Sequence, residues 1–256
     1  GRYPEARVTV ACGAAAADLF EAVPNLDRII VLDKMVFSAH WLGLWWATIG
    51  HRWDVLVDLR NSPMAFALLA KKKYRMGRDR EPLHRVKRLA GIMRLGDAPP
   101  EPILWFSDLH LARARRFVPD GLPVLAIGPT ANWPAKMWPA DRFSALIDRI
   151  TGPGGILEGG RVAVFGRDDE RPQILRLIDA IPSERRIDLV GHLDLLEAGA
   201  CLKRCALYIG NDSGLMHLAA AAGIPTLGLF GPTPEELYAP WGERCGVVRT
   251  SIPYDR

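Results

Sequence analysis

The sequence has little cysteine: four residues in 256, at Cys12, Cys201, Cys205 and Cys245. That excludes a disulfide-stapled secreted scaffold and fits the reduced thiols of a cytosolic protein. Cys201 and Cys205 lie one helical turn apart, a spacing a metal pair can use. No second Cys/His pair accompanies them, so they are expected on a buried helix face, with no metal site. No apolar run reaches the roughly eighteen residues that a membrane-spanning helix needs. The most apolar stretch, Val36 to Ile49, is shorter and carries His40. No signal peptide is visible, in a sequence that starts at Gly1. No RNP-like aromatic pattern and no zinc-finger spacing is present, which excludes the common nucleic-acid modules. No G-x-G-x-x-G follows a strand-like run, which argues against a dinucleotide-dependent oxidoreductase. No Asp-x-Asp metal motif occurs, and Asp168-Asp169 is a weak substitute.

What is present is a balanced globular composition, with 49% hydrophobic and 24% charged residues in a length that suits two modest domains. The net charge is +4, and the excess is uneven. Lys71, Lys72, Lys73, Arg75, Arg78, Arg80, Arg85, Lys87 and Arg88 crowd one segment. Such a run serves an anionic partner or is a solvated face, and both readings stand at this point.

The chain alternates short apolar runs with helical stretches. Strands are expected at Arg7 to Ala11, Arg28 to Leu32 and Trp53 to Leu59, and helices at Ala14 to Ala22, Met35 to Gly50, Pro63 to Lys71 and Pro82 to Leu95. Asn61 and Ser62 are cap candidates for the third helix. Asp97 to Pro102 reads as a loop, and Val118 to Pro123 as a linker. A second series then places strands at Val124 to Ile127, Arg161 to Phe165, Ile187 to Val190, Leu207 to Gly210 and Thr226 to Phe230. Its helices start near Pro139, Glu170, Asp194 and Gly214. Two such series predict an α/β protein of two Rossmann-like domains facing a cleft, residues 1–118 and 119–256. In a doubly wound sheet the first strand is central, so a strand and helix are expected before Gly1.

Three polar clusters follow strands of the second series. In Gly128-Pro129-Thr130-Ala131-Asn132-Trp133-Pro134-Ala135-Lys136-Met137-Trp138-Pro139, the Thr130 hydroxyl, backbone N–H groups and Lys136 ammonium can converge on phosphate oxygens. In Phe165-Gly166-Arg167-Asp168-Asp169-Glu170, Glu170 can bind ribose hydroxyls or merely suit a helix start. In Asn211-Asp212-Ser213-Gly214-Leu215-Met216-His217, Asp212 or Ser213 can cap a helix whose N-terminus suits an anion, with Gly214 permitting close approach and His217 in the first turn. Each segment alone is also an ordinary capped turn. Clusters at the ends of three strands of one sheet share a crevice, and together they predict a nucleotide site.

The run Asn211 to Pro225, with Leu229-Phe230-Gly231-Pro232-Thr233 after it, resembles glycosyltransferase family nine, the ADP-heptose:lipopolysaccharide heptosyltransferases. Gly128 to Pro139 is similar to that family's phosphate loop, which ends in Lys-x-Trp-Pro, here Lys136 to Pro139. The resemblance extends in order over most of the chain and is strongest after Val124. It implies the two-domain GT-B arrangement and an inverting transfer of a sugar, heptose in this family, from an ADP-linked donor to a lipopolysaccharide core. The nucleotide sugar would be a substrate, and no cofactor or metal would be needed. By the same resemblance Gly128, Thr130 and Lys136 would hold the donor phosphates, with Lys136 stabilising the leaving group. Glu170 would contact the nucleoside, Leu193 would lie near the adenine, and Asp212, Ser213, Gly214 and His217 would line the sugar-diphosphate site. The family's catalytic aspartate and closing C-terminal helix are not found in these residues. Asp33 and Asp58 end strands of the first series, but nothing in the sequence promotes either to base.

In that arrangement Lys71, Lys72, Lys73 and Arg75 fall on the acceptor side and are candidates for an anionic glycolipid. This fits a cytoplasmic protein, peripheral at the inner membrane face, with no nucleic-acid partner. Trp41, Trp45 and Trp46 suit a buried helix face or an interfacial contact. A non-catalytic nucleotide-sugar-binding protein and a transferase of another sugar remain alternatives.

Overall fold

The computed structural model describes residues 3–33, 40–77, 82–96 and 99–250. The chain divides into two compact units, Gly1–Pro100 and Glu101–Arg256.

The first unit contains β1 (Val8–Cys12), α1 (Ala14–Ala17), β2 (Leu26–Val31), α2 (His40–Thr48), β3 (Trp53–Asp58), α3 (Met64–Ala67), β4 (Ala70–Arg75) and α4 (Arg85–Ile92). β1 pairs with β2 and β3 with β4, both parallel, as two separate two-stranded ladders. The helix expected at Ala14 to Ala22 is shorter, with α1 running into a 3-10 turn at Asp18–Phe20. The helix expected from Met35 is described only from His40, and Met35, Arg78, Arg80 and Asp97 lie outside the described residues. Trp46 is exposed on α2, while Trp41 and Trp45 are half-buried.

One expectation is overturned here. The stretch Pro63 to Lys71 is not a single helix: α3 stops at Ala67, Leu68 turns to an extended conformation, and the lysines continue as β4. Alanine and lysine are good helix formers, but β4 gains a full parallel ladder, with Val55 opposite Lys72 and Val57 opposite Tyr74. Lysines also suit an exposed strand, because they discourage further edge pairing. The turn before α3 is not capped by Asn61 or Ser62. Asp58, nearly buried, accepts from the N–H groups of Arg60 (2.9 Å) and Ser62 (2.6 Å) and from the Ser62 hydroxyl (3.1 Å). Asn61 is left-handed (φ 55°) and accepts from Arg75 at 2.8 Å. Asp58 is thus a turn-former at a strand end.

The second unit contains α5 (Asp108–Phe117), β5 (Val124–Gly128), α6 (Ala140–Thr151), β6 (Arg161–Val164), α7 (Arg171–Ala180), β7 (Arg186–Asp188), α8 (Leu195–Leu202), β8 (Leu207–Asn211), α9 (Gly214–Ala221), β9 (Thr226–Phe230), α10 (Glu235–Tyr238) and β10 (Cys245–Arg249). The unit begins before the expected linker because α5 packs on α8, where Arg113 pairs with the nearly buried Glu197. Leu104 and Phe106 also lie against Gly199 of α8. Val118 to Pro123 is therefore the α5–β5 connection, and the division falls at Pro100/Glu101.

Six strands form one parallel sheet in the order β10-β9-β8-β5-β6-β7. The chain leaves β5 toward β7, returns to β8 and continues outward to β10, which is a doubly wound sheet with its switch point between β5 and β8. All five residues of β5 are buried, as expected for a strand covered on both faces. Leu125, Ile127, Phe143, Ile147, Val164 and Ile209 are among its core. At the carboxyl ends of the central strands three glycines stand side by side: Gly128 pairs with Gly210, and Gly210 with Gly228. The wholly buried Tyr208 ring lies along the first two of them, and Met216 of α9 presses on the third.

Candidate active site

The loops leaving β5 and β8 flank the switch point, where a doubly wound sheet opens a crevice. The β5 loop is fixed at several points. Asn211, wholly buried at the end of β8, accepts from the Trp138 N–H (3.0 Å) and donates to the Pro129 carbonyl (2.7 Å), tying both ends of that loop to the neighbouring strand. A 3-10 turn at Pro134–Lys136 stiffens its middle. Thr130, only 2% exposed, donates to Glu170 Oε2 at 2.9 Å, and that oxygen also accepts from the Arg167 N–H at 2.8 Å. Glu170 therefore locks the β5 and β6 loops together.

Lys136 reaches across the switch point. Its Nζ lies 2.7 Å from Asp212 Oδ2, with the two side chains 17% and 7% exposed. The Thr233 hydroxyl donates to the same oxygen at 2.6 Å. Asp212 thus gathers the ends of β5, β8 and β9. An ammonium has three donors and Asp212 engages one, so the lysine retains capacity toward a ligand.

α9 starts at Gly214 with Ser213 in the N-cap position. The sequence expectation that Asp212 or Ser213 would cap this helix is corrected: Asp212 is committed to Lys136 and Thr233, and the Ser213 side chain makes no cap hydrogen bond. Gly214 and His217 are exposed in the first turn. Leu193 follows β7 at the far edge of the same face and is half-buried. Its connection is held by Arg171, which donates to Asp188 at 2.7 Å and to the Val190 carbonyl at 2.7 Å. Burial alone would raise the Asp188 pKa, but the Arg171 hydrogen bond and the Val190 N–H bring it below the usual carboxylate range.

Gly128 therefore ends β5, and Thr130, Lys136, Glu170, Asp212, Ser213, Gly214 and His217 sit on loops or a helix start at the carboxyl ends of β5, β6 and β8. Sequence reasoning missed Asn211, Thr233 and Tyr208. Thr233 follows the carboxyl end of β9, so the strand-end rule that selected the other clusters also selects it.

The first unit holds a separate basic pocket of about 560 Å³, lined among others by Lys72, Lys73, Tyr74, Arg75, Arg88 and Arg94. Lys71 does not line it; its ammonium lies 2.7 Å from Asp54 on exposed surface. Arg75 also stacks 3.8 Å above the Phe66 ring. Among the described residues no group of three or more His, Cys, Asp or Glu is placed to hold a metal ion. Cys201 and Cys205 are buried, and burial pushes both thiols up to about 12, which keeps them protonated and inert.

The sequence profile of glycosyltransferase family 9 (heptosyltransferase) matches residues 24–255. Lipooligosaccharide heptosyltransferase 2 of Haemophilus influenzae is 33% identical over 131 residues, which are 50% of this chain and 36% of that protein. Lipopolysaccharide heptosyltransferase 2 of Salmonella typhimurium is 28% identical over 183 residues, 65% of this chain and 49% of that protein. The chain thus spans about half or less of the length of these relatives. Among solved structures, a glycosyl transferase family 9 protein from Veillonella parvula superposes with a TM-score of 0.81 at 21% identity, covering 96% of this chain and 78% of that one. The Escherichia coli ADP-heptose heptosyltransferase II gives 0.76 at 21% identity, covering 98% and 84%. With the profile matching nearly the whole length, the chain belongs to glycosyltransferase family 9, the heptosyltransferase family.

Proposed function

We propose that this protein is an inverting glycosyltransferase that moves heptose from ADP-heptose to an anionic lipopolysaccharide-core acceptor. The observation that carries the reading is at the switch point: an N-terminus of α9 without a side-chain cap stands beside an ammonium fixed on a stiff loop. Backbone N–H groups and a lysine are the groups that hold a diphosphate and stabilise it as it departs. The relative whose name specifies ADP-heptose favours that donor over other sugar nucleotides.

In this reading the diphosphate lies across Gly214, with Lys136 and Thr130 toward its oxygens. The adenosine extends over β6 and β7 toward Glu170 and Leu193, and the sugar lies by Asp212 and His217. An acceptor hydroxyl loses its proton to a base and attacks the anomeric carbon, the bond to the diphosphate oxygen breaks, and ADP leaves with inverted configuration at the sugar. The residues named supply the positive potential, so the donor is a substrate and no resident cofactor is invoked. The buried, protonated thiols fit a reducing cytoplasm. No helix of the described residues is long and apolar enough to cross a membrane. Calorimetric titration with ADP, UDP and GDP tests the donor assignment. ADP is expected to bind most tightly, and no preference for ADP would overturn it.

Asp212→Asn separates ligand binding from architecture. Asparagine still accepts from Thr233, and Ser213 rather than Asp212 occupies the cap position, so α9 should persist. The asparagine oxygen can also still accept from Lys136, so what is lost is the negative charge, a charge-assisted acceptor for sugar hydroxyls worth about 1.5–3 kcal/mol. Turnover with the sugar donor should fall about tenfold or more, with a melting temperature near that of the parent. A large thermal destabilisation with an unaltered donor KM would make Asp212 purely structural.

The basic pocket of the first unit is proposed as the acceptor's anion site. Replacing Lys72, Lys73 and Arg88 together with glutamine should raise the acceptor KM several-fold and flatten its dependence on ionic strength, because attraction over several ångströms is screened within about 8–10 Å at physiological salt. The donor KM should stay near the parent value. Lys71→Gln should have a smaller effect, since Lys71 is already neutralised by Asp54. Unchanged acceptor kinetics in the triple variant would return the segment to a solvated face.

A further inference from the structure

Tyr208 is fully buried two residues before Gly210, and its ring runs along β8 toward the carboxyl end of the sheet. Its hydroxyl sits where a side chain on Gly128 or Gly210 would be, directly beneath the two loops of the candidate active site. Among the described residues that hydroxyl has no hydrogen-bond partner, and the same is true of the buried Ser213 Oγ. Burial pushes the phenol well above its ordinary range and holds it in its protonated, donating form, and Ser213 is the one side chain whose influence offsets that shift, which puts the two hydroxyls within each other's reach.

The consequence lies at α9. Ser213 has the extended backbone of an N-cap residue (φ −150°, ψ 172°), and serine is among the best N-caps, its hydroxyl normally accepting from the second or third N–H of the helix. Here it does not, because the hydroxyl is turned inward. Resting on the reading that a diphosphate binds at α9, we propose that Tyr208 is a positioning residue whose buried hydroxyl draws the Ser213 hydroxyl away from the helix, leaving the first N–H groups of α9 for the diphosphate. Without the phenol, Ser213 rotates about its side-chain bond and caps its own helix, and the ligand must then displace that bond. Gly128 and Gly210 belong to the same device, since only glycine at both positions leaves room for the hydroxyl.

The test is an ADP titration of the full chain by calorimetry, in the parent, Tyr208→Phe, Ser213→Ala, the double variant and Lys136→Ala, with thermal unfolding of each ligand-free protein. Tyr208→Phe is expected to weaken ADP binding about fivefold, the equivalent of a typical cap bond. The ligand-free melting temperature should stay level or rise, because a buried unpaired hydroxyl is removed and a cap is gained. In the Ser213→Ala background, the same change at Tyr208 should have no further effect on ADP. Parent-like affinity in Tyr208→Phe, equal weakening in both backgrounds, or a fall in the ligand-free melting temperature would each overturn the inference. If Lys136→Ala weakens ADP binding while Tyr208→Phe does not, the diphosphate site stands and only the role of Tyr208 is lost. Failure of the parent to bind ADP overturns both.

Discussion

Lys136→Ala is expected to lower turnover by about 10²–10³-fold, the effect of removing one fixed donor, about 3–4 kcal/mol, from a developing anion. The loop that carries Lys136 is pinned by Asn211 at both ends, so the ammonium's position is set before a ligand arrives. The lysine side chain is mostly buried, and a charge in such surroundings acts more strongly than one in water. The variant also leaves the nearly buried Asp212 carboxylate with the Thr233 hydroxyl but without its cation, which should cost stability independently of catalysis. The two effects separate in the double variant Lys136→Ala, Asp212→Asn: the melting temperature should recover while turnover stays low. Single-turnover rates and ADP affinity are the measurements. Near-normal turnover in Lys136→Ala would remove the lysine from the mechanism and, with it, the main support for the diphosphate reading.

The sequence carries the strands and helix ends of this site more clearly than the contacts between them. The second unit was legible because its central strand β5 is buried on both faces and so appears as an unbroken apolar run, Val124 to Ile127. Local chemistry also marked its helix ends. Asp194 caps α8 with Glu197 returning the bond, and Gly223, with φ 81°, follows the end of α9 in the left-handed conformation that glycine permits. The strand-end clusters followed from the same logic. What local pattern does not carry is the identity of partners. Lys136 meets Asp212, and Asn211 meets Trp138 and Pro129, only because β5 and β8 adjoin in the sheet. The inward turn of Ser213 depends on a tyrosine five residues earlier and on a glycine from another strand, so the correct cap position was visible but its missing bond was not. β4 shows the opposite failure. Ala70 to Arg75 has the composition of a helix surface, and non-local pairing with β3 decides the matter.

Gly128→Ala is expected to destabilise the second unit strongly. A Cβ there would lie 2.8 Å from Tyr208 Cζ and closer still to its hydroxyl oxygen. Neither partner has room to yield. Gly128 is the last residue of a fully buried strand, paired with Gly210, and the Tyr208 ring has no exposed surface. Overpacking of this kind costs about 1–3 kcal/mol, and the upper end is expected where the clash is with a ring held in a sheet. For a domain of this size that should lower the melting temperature by about 4–10 °C. The strain should also reach the site, since Gly128 begins the loop that carries Thr130 and Lys136, so ADP affinity should fall together with stability. Tyr208→Leu, which removes the ring end, should restore much of the melting temperature to Gly128→Ala but not the ADP affinity, because the phenol that orients Ser213 would be gone. A Gly128→Ala protein as stable as the parent would show that the ring is free to move, and the close fit of Tyr208 beneath the two loops could not then be what shapes them.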